Sequence, residues 1–420
     1  MPAVGIGEAP VASPVVTVVE LRTTAMAVGG EAVARDPSGR VVFVAGALPD
    51  ETVLVDVLDE RRSFARGVAL DVVDPALGRV DPPCPHVASG CGGCDWQHVA
   101  PSTQQDLRLA LVAEVLGRAG GIAEPVVTAG PPVPVEGART TMRGVAGRGG
   151  RFALRRRRSH EPVDVSTCLV AHPLVEEIVT DGRFGAAREV MIRAGARTGE
   201  RMVVVAPTSE GVRVPPDVVV VGRNELAAGR RAWLHEVAAG RRWRISAGSF
   251  FQASPEGAEA LVVAAGSLLD AHAPDAGRMV DLCCGVGLFG GALGAGRRVI
   301  GVERGASAVA DARHNLADRD ARIVKATLGR WRPSPADVVV ADPARRGLGP
   351  EGVATVAATG TPLCVLVSCD VASLGRDAAA LAAAGYRHVQ STTVDVFGHT
   401  SHVEVVTAFR AAEATGALSR

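Results

Sequence analysis

Five short apolar runs, at 279–282, 298–302, 321–324, 337–341 and 363–367, follow one another in close succession. Helix-compatible stretches such as 306–316 and 373–384 lie between and after them. Strands this short, alternating with helices, bury both faces as a mainly parallel sheet with helices on either side. The C-terminal part of the chain is therefore expected to be α/β and Rossmann-like. In an open sheet of that kind the carboxyl ends of the strands line the ligand crevice. Asp281, Glu303, Asp342 and Cys369 stand at or just past the ends of these runs, so the sequence predicts that they converge.

The turn after the first run reads Asp281-Leu-Cys-Cys-Gly-Val-Gly287. Its glycines allow a tight turn and close backbone approach to a ligand at a helix N-terminus. The third glycine of the dinucleotide spacing is missing, which argues against a nicotinamide cofactor. Glu303 ends the next run in Gly-Val-Glu, where a carboxylate can accept both hydroxyls of a ribose. Cys369, in Val-Ser-Cys-Asp, and Glu404, in His-Val-Glu, put a thiol and a carboxylate at the ends of neighbouring strands. That pair beside a nucleotide-type loop fits covalent catalysis on an electron-poor ring. Cys284 and Cys364 read as core residues.

The chain has 420 residues, 47% of them apolar, enough for two or three domains with a real core. Short β-type runs at 15–21, 31–35, 40–44, 51–59 and 65–73 alternate with turn signals such as Asp36-Pro37-Ser38-Gly39. Five such strands predict a small barrel. Residues 1–13 read as a loose tail. Residues 104–118 read as an amphipathic helix with Leu107, Leu111 and Val115, and nearby Val112 and Leu116, on one side, and 123–137 as a linker or exposed loop. Net charge is zero, so no global electrostatic case for nucleic acid exists. Locally, eight arginines and no acid lie from Arg139 to Arg158. That stretch is either a solvated hairpin face or a phosphate-binding patch. Neither a secretion signal nor an apolar run of about 18 residues is present, so a cytoplasmic chain without a membrane span is expected.

Cys84, Cys91 and Cys94 lie in Cys-Pro-His-Val-Ala-Ser-Gly-Cys-Gly-Gly-Cys, and Cys168 stands alone much later. Three clustered thiolates and a distant fourth can hold an iron–sulfur cluster or zinc. Zinc sites usually pair two short hooks; here the second hook is a single cysteine, which favours the cluster.

These pieces, in this order, resemble the RNA uracil-C5 methyltransferases that use S-adenosylmethionine. The matching segments are Phe-Phe-Gln at 250–252, Asp-Leu-Cys-Cys-Gly-Val-Gly at 281–287, Gly-Val-Glu at 301–303 and Asp-Pro-Ala-Arg at 342–345, then Val-Ser-Cys-Asp at 367–370 and Asp-Val-Phe-Gly-His-Thr-Ser-His-Val-Glu at 395–404. The resemblance is strongest from Ser249 to Thr407. It implies a TRAM-type, OB-like barrel at 14–75, a central α+β RNA-binding domain with iron–sulfur cysteines at 76–240, and a methyltransferase domain at 241–420. It further implies Cys369 as nucleophile and Glu404 as base. Gln252 would meet the methionine part of the cofactor and Glu303 its ribose, with Asp281, Gly285 and Asp342 completing that site. Cys84, Cys91, Cys94 and Cys168 resemble the 4Fe-4S ligands of the ribosomal-RNA branch. The implied partner is RNA, ribosomal before transfer RNA, and the chain is expected as a monomer. Departures from the family pattern are a first cysteine gap of six residues where five is usual, Cys283 at an often aromatic position, Leu288 and Thr327 where Asn is frequent, and Gly398 in place of proline.

The chemistry explains these residue types. C5 of uracil is a poor nucleophile until a thiolate adds to C6 and turns the ring into an enolate. After methylation a base must remove the C5 proton so that the thiol can leave. The base must also leave its stack to reach the crevice. Two other readings compete: an iron–sulfur RNA-binding protein whose methyltransferase domain does not catalyse, and a cytosine-C5 enzyme. The second lacks the Pro-Cys motif that its chemistry uses.

Overall fold

The structure, a computed structural model, describes residues 18–412. The tail expected at 1–13 and the start of the strand expected from residue 15 lie outside the described residues. The chain divides into two compact units, Met1–Arg79 and Val80–Arg420.

In the first unit the strands Val18–Met26, Ala32–Arg35, Val41–Ala45, Thr52–Glu60 and Phe64–Asp74 close into a barrel. Closure removes every free sheet edge. The five strands expected from sequence are seen, and their side chains alternate: Ala32, Ala34, Val42, Val44, Val53 and Val55 fill the interior. The Asp36–Gly39 turn forms because the Asp36 carboxylate accepts from the Ser38 and Arg40 amides while Gly39 takes φ 85°. On the partly exposed side, the Arg66 guanidinium stands over the rings of Phe43 (4.9 Å) and Phe64 (5.5 Å).

The second unit carries an eight-stranded sheet. Its order is Ala321–Lys325, Arg298–Glu303, Arg278–Leu282, Val338–Ala341, Leu363–Ser368, Glu404–Ala411, Tyr386–Val394 and Val127–Ala129. The first five strands are mutually parallel, and Glu404–Ala411 runs antiparallel to Leu363–Ser368. Successive residues feed opposite faces. Leu363, Val365 and Val367 pack toward helix Pro255–His272, while Cys364 and Leu366 pack toward helices Pro101–Arg118, Gly349–Ala358 and Val371–Ala383. Cys284 and Cys364 are core residues, as expected. Both faces are thus covered, which is why these strands read as unbroken apolar runs.

Two expectations need correction. The segment read as a linker, 123–137, contains the edge strand Val127–Ala129, which pairs in parallel with Tyr386–Val394. Three residues are too few for an alternation signal, and sheet pairing rather than propensity holds them extended. The helix Pro101–Arg118 buries Leu111, Val112 and Leu116 as expected, but its buried face extends to Gln104 and Arg108 rather than through Leu107 and Val115, which are only partly buried. The face extends there because Gln104 and Arg108 serve as buried hydrogen-bonding anchors, as shown below.

Also within the second unit, a six-stranded sheet takes the order Val219–Gly222, Arg201–Ala206, Glu189–Ala194, Thr141–Ala146, Phe152–Arg155 and Pro162–Asp164. The arginine-rich stretch supplies two of these strands and their turn. A hairpin, Trp233–Ala238 with Arg241–Ser246, leads from it to helix Pro255–His272. That helix begins where Ser254 accepts from the Gly257 amide (3.0 Å) and proline stands at the first turn.

Candidate active site

The strand Arg278–Leu282 delivers Asp281, and the turn that follows is built for close approach. Cys283 and Gly285 have φ of 60° and 55°, and Gly287, at φ 94°, opens the helix Leu288–Leu293. A side chain at Gly287 would fall 2.3 Å from Leu316, so only glycine lets this turn pack. Asp281 is fully buried and accepts from the Gly290 amide (2.8 Å). Burial, with Asp342 and Glu303 nearby, raises its carboxyl to about 7. Glu303, at the end of the next strand, accepts from the Gly285 (3.2 Å) and Gly305 (2.6 Å) amides. Its carboxylate is thereby fixed against the glycine turn.

Two strands farther along the sheet, Ser368 pairs with Val405 across an antiparallel ladder. Cys369 therefore leaves its strand at the same edge where Glu404 enters the next one. An antiparallel neighbour offers its first residue where the parallel strands offer their last, so Glu404 joins Asp281, Glu303, Asp342 and Cys369 at one edge. Cys369 ends up at a strand–helix junction, because Asp370 caps helix Val371–Ala383 by accepting from the Ser373 amide (2.7 Å).

The electrostatics are those of a desolvated anionic cleft. Burial, then Glu404 and Asp342, push the Cys369 thiol up to about 12, with Arg345 opposing. Burial and Asp342 hold the Glu404 carboxyl well above the ordinary carboxylate range. Burial alone raises Asp342 to about 7. Asp342 thus disfavours ionisation of both Cys369 and Glu404, and a cation placed among them would favour it. Among the described residues, Gln252 Oε1, Asp281 Oδ1, Ser368 Oγ and Glu404 Oε2 are buried with no hydrogen-bond partner. Such groups are rare inside proteins, and a cluster of them marks a place where a ligand completes the hydrogen bonding.

The loop leading into Glu404 is anchored by residues that the sequence reading missed. Arg108 pairs with Asp395 (3.0 Å) and donates to the Thr400 carbonyl (2.5 Å), while its guanidinium lies 5.5 Å from the Trp96 ring. Gln104 accepts from the His399 amide (3.1 Å) and donates to the Trp96 and Val99 carbonyls. Asp95 accepts from the amide and hydroxyl of Ser401. A signal was present: two polar residues four apart on the side of a helix that continues as Leu111 and Val112. Gly398 has its own explanation, since a Cβ there would meet Val135 at 2.7 Å. His399 directs Nε2 toward Glu136 (3.5 Å), away from the thiol chemistry.

Cys84, Cys91, Cys94 and Cys168 come together around one cavity of about 180 Å³. All four are free thiols. The Gly92 amide donates to the Arg155 carbonyl (3.0 Å), and Cys91 bridges to Arg156, which pins the cysteine turn to the arginine hairpin. Burial raises the Cys91, Cys94 and Cys168 thiols, Cys168 to about 11, and the Arg139 charge offsets part of this at Cys94 and Cys168. Among the described residues, no three or more His, Cys, Asp or Glu are gathered closely enough to hold a single metal ion. Four thiols around a cavity are the donor type that iron–sulfur clusters use, and Arg139 beside them would offset thiolate charge.

The arginines of this stretch differ in their surroundings. Arg139 and Arg143 line the thiol cavity, with Arg139 also 5.8 Å from the Phe397 ring, Arg156 pairs with Glu161 (2.8 Å), and Arg143 and Arg155 line an adjoining groove.

Comparison with known proteins agrees with this geometry. The TRAM domain family matches residues 15–70. An uncharacterized RNA methyltransferase of Streptomyces avermitilis is 36% identical over 423 residues, covering 92% of this chain and 96% of the relative. The 23S rRNA (uracil(1939)-C(5))-methyltransferase RlmD of Aeromonas salmonicida is 30% identical over 418 residues, covering 88% and 92%. Among solved structures, the Pyrococcus abyssi tRNA (uracil-54, C5)-methyltransferase in complex with S-adenosyl-L-homocysteine superposes with a TM-score of 0.71 over 93% of this chain and 99% of that one. At 22% identity that likeness is one of fold.

Proposed function

Because the chain belongs to the RNA uracil-C5 methyltransferase family, we propose that it methylates C5 of a specific uridine in 23S rRNA, with Cys369 as nucleophile and Glu404 as base. The observation that carries the assignment is the antiparallel register that brings a half-buried thiol and a buried carboxylate to one edge of the sheet.

S-adenosylmethionine, when bound, supplies a methyl group on a cationic sulfonium. Gln252, Asp281 and Glu303 would hold it. The first two keep unpartnered buried oxygens, and Glu303 sits fixed against Gly285. Asp342 lines the same cleft. Cys369 releases its proton to solvent and the thiolate sulfur bonds to C6, which leaves C5 electron-rich as part of an enolate. Once C5 carries its methyl group, Glu404 takes the C5 proton. The C6–S bond then breaks, and aromaticity returns. Burial disfavours ionisation of Cys369 and Glu404 in the empty cleft; a cation bound beside them favours it, leaving Glu404 a carboxylate able to accept the C5 proton and the sulfur a strong nucleophile once ionised.

The four cysteines would hold a 4Fe-4S cluster with all positions filled by protein, a structural rather than reactive arrangement. The barrel and the arginine hairpin would grip RNA phosphates while the target base is turned out. Among the described residues no helix is long and apolar enough to cross a membrane. A monomer working in the cytoplasm, where ribosomal RNA is made accessible, fits the reading. Ribosomal RNA is preferred over transfer RNA because the 23S rRNA enzyme is 30% identical to this chain and the tRNA enzyme 22%. Mass-mapping of 5-methyluridine in total RNA from a strain lacking the gene tests this. Loss of one 23S rRNA site is expected, and an unchanged ribosomal map with a transfer-RNA site lost would redirect the substrate.

A further inference from the structure

A groove of about 760 Å³ is lined by none of the carboxylates of the cleft, and it shares Gly93, Arg143 and Leu154 with the wall of the thiol cavity. The arginine hairpin contributes Arg143 and Arg155 to its wall, the cysteine turn contributes Gly92 and Gly93, and the segment 247–250 closes it. Phe250 is 61% exposed here, whereas its neighbour Phe251 is buried at 6%. An aromatic ring left in the open beside a cationic concavity is a platform for a nucleobase. Glu189, the acid of this lining, is already held by Arg223 (2.7 Å). Among the described residues no carboxylate pairs with Arg143 or Arg155, so both remain available to phosphate.

The segment that carries Phe250 is gripped from two sides. Arg193, buried on the six-stranded sheet, donates to the carbonyls of Ser249 (3.0 Å) and Ser246 (3.4 Å). Asp311, fully buried on helix Ala306–Asn315, accepts from the Ser246 amide (2.9 Å) and from the hydroxyls of Ser246 (2.8 Å) and Ser249 (2.6 Å). Gln252, assigned to the cofactor, follows two residues after the exposed ring. A displacement at Phe250 therefore has little slack to absorb it before Gln252.

We propose that this groove takes a second nucleotide of the substrate RNA, unpaired and distinct from the methylated one, with its base on the Phe250 ring and its phosphate on Arg143 and Arg155. Filling it tightens the hold on the cofactor through the clamped segment. The inference rests on the RNA methyltransferase reading.

The test uses the full-length protein, an unmodified 23S rRNA transcript and S-adenosylhomocysteine. Phe250→Ala should raise the KM for the transcript about tenfold, the loss of one base stack, and Phe250→Trp should restore it. Calorimetry without RNA should give the same S-adenosylhomocysteine affinity for Phe250→Ala and wild type. With RNA, the wild type should bind it about fivefold tighter or more, and Phe250→Ala should lose that gain. A normal KM in Phe250→Ala overturns the proposal. So does an equal loss of cofactor affinity with and without RNA, which would make the ring merely structural. If the wild type methylates no RNA, the enzymatic reading fails separately. Filter retention of the transcript then decides the groove, and equal retention by wild type and Phe250→Ala would end it.

Discussion

Cys369 and Glu404 share one edge of the sheet because Ser368 and Val405 are register partners on antiparallel strands. A one-residue slip in that ladder would send the Glu404 side chain to the opposite face. The catalytic pairing is therefore written into backbone hydrogen bonding, and it separates two steps that a substitution can isolate. Glu404→Gln keeps the side chain's shape but removes the base. Methylation should then stall with Cys369 still bonded to C6, and an RNA–protein species should survive on a denaturing gel while turnover falls by about 10²–10⁴-fold. Cys369→Ala should give neither turnover nor that species. Release of methylated RNA by Glu404→Gln at the wild-type rate would remove the carboxylate from the mechanism.

Asp281 supplies a pH-dependent prediction. Its carboxyl ionises at 3.8 when free and at about 7 in the folded chain, chiefly through burial. Between those values the unfolded chain gives up the proton and the folded chain keeps it. The stability of the ligand-free protein should therefore fall as pH rises across that window and level off above about 7. Asp281→Asn cannot ionise, so it should flatten the fall and raise Tm at alkaline pH by roughly 2–4 °C, while weakening cofactor binding. Calorimetric scans on both sides of the window read this. Parallel profiles for the two proteins would place the pH dependence elsewhere.

The four thiols predict a metal content. Protein purified without oxygen should be brown and carry about four irons, as a 4Fe-4S cluster does. Cys168→Ala should lose most of the iron, because a distant fourth ligand closes the cavity lined by the other three. Stoichiometric zinc without iron would overturn the cluster.

Removing the barrel separates RNA grip from chemistry. Residues 1–79 form a compact unit of their own, and the Arg66 stack on Phe43 and Phe64 offers cation and ring together. A chain of residues 80–420 should bind S-adenosylhomocysteine normally in a calorimeter and require more RNA to reach half-maximal rate. An unaltered KM for RNA would take the barrel out of substrate recognition.

What was legible in the sequence followed from the spacing of runs and from strand ends. Five short runs separated by turn signals announced a barrel, and the runs that end at or near Asp281, Glu303, Asp342 and Cys369 announced a parallel sheet with its crevice. The position of Glu404 followed only from motif, because nothing local says that its strand runs backwards. Arg108 and Gln104 escaped because a helix reading assigns polar residues to solvent, whereas Asp395, Thr400 and His399 are nearly 300 residues away in sequence. Phe250 escaped for the opposite reason: an aromatic in Phe-Phe reads as core, and its exposure depends on where the clamped segment turns.

The edge strand Val127–Ala129 has a consequence for how this protein can be divided. It lies earlier in the chain than the whole six-stranded sheet, yet it completes the sheet that bears the thiol. No single cut can release an intact catalytic half, since any fragment beginning near residue 241 leaves the outer side of Tyr386–Val394 bare and prone to pair with another copy. The chemistry and the arginine hairpin are thus inherited as one piece, and an exchange of substrate-binding regions between relatives would have to respect two crossings of the chain rather than one.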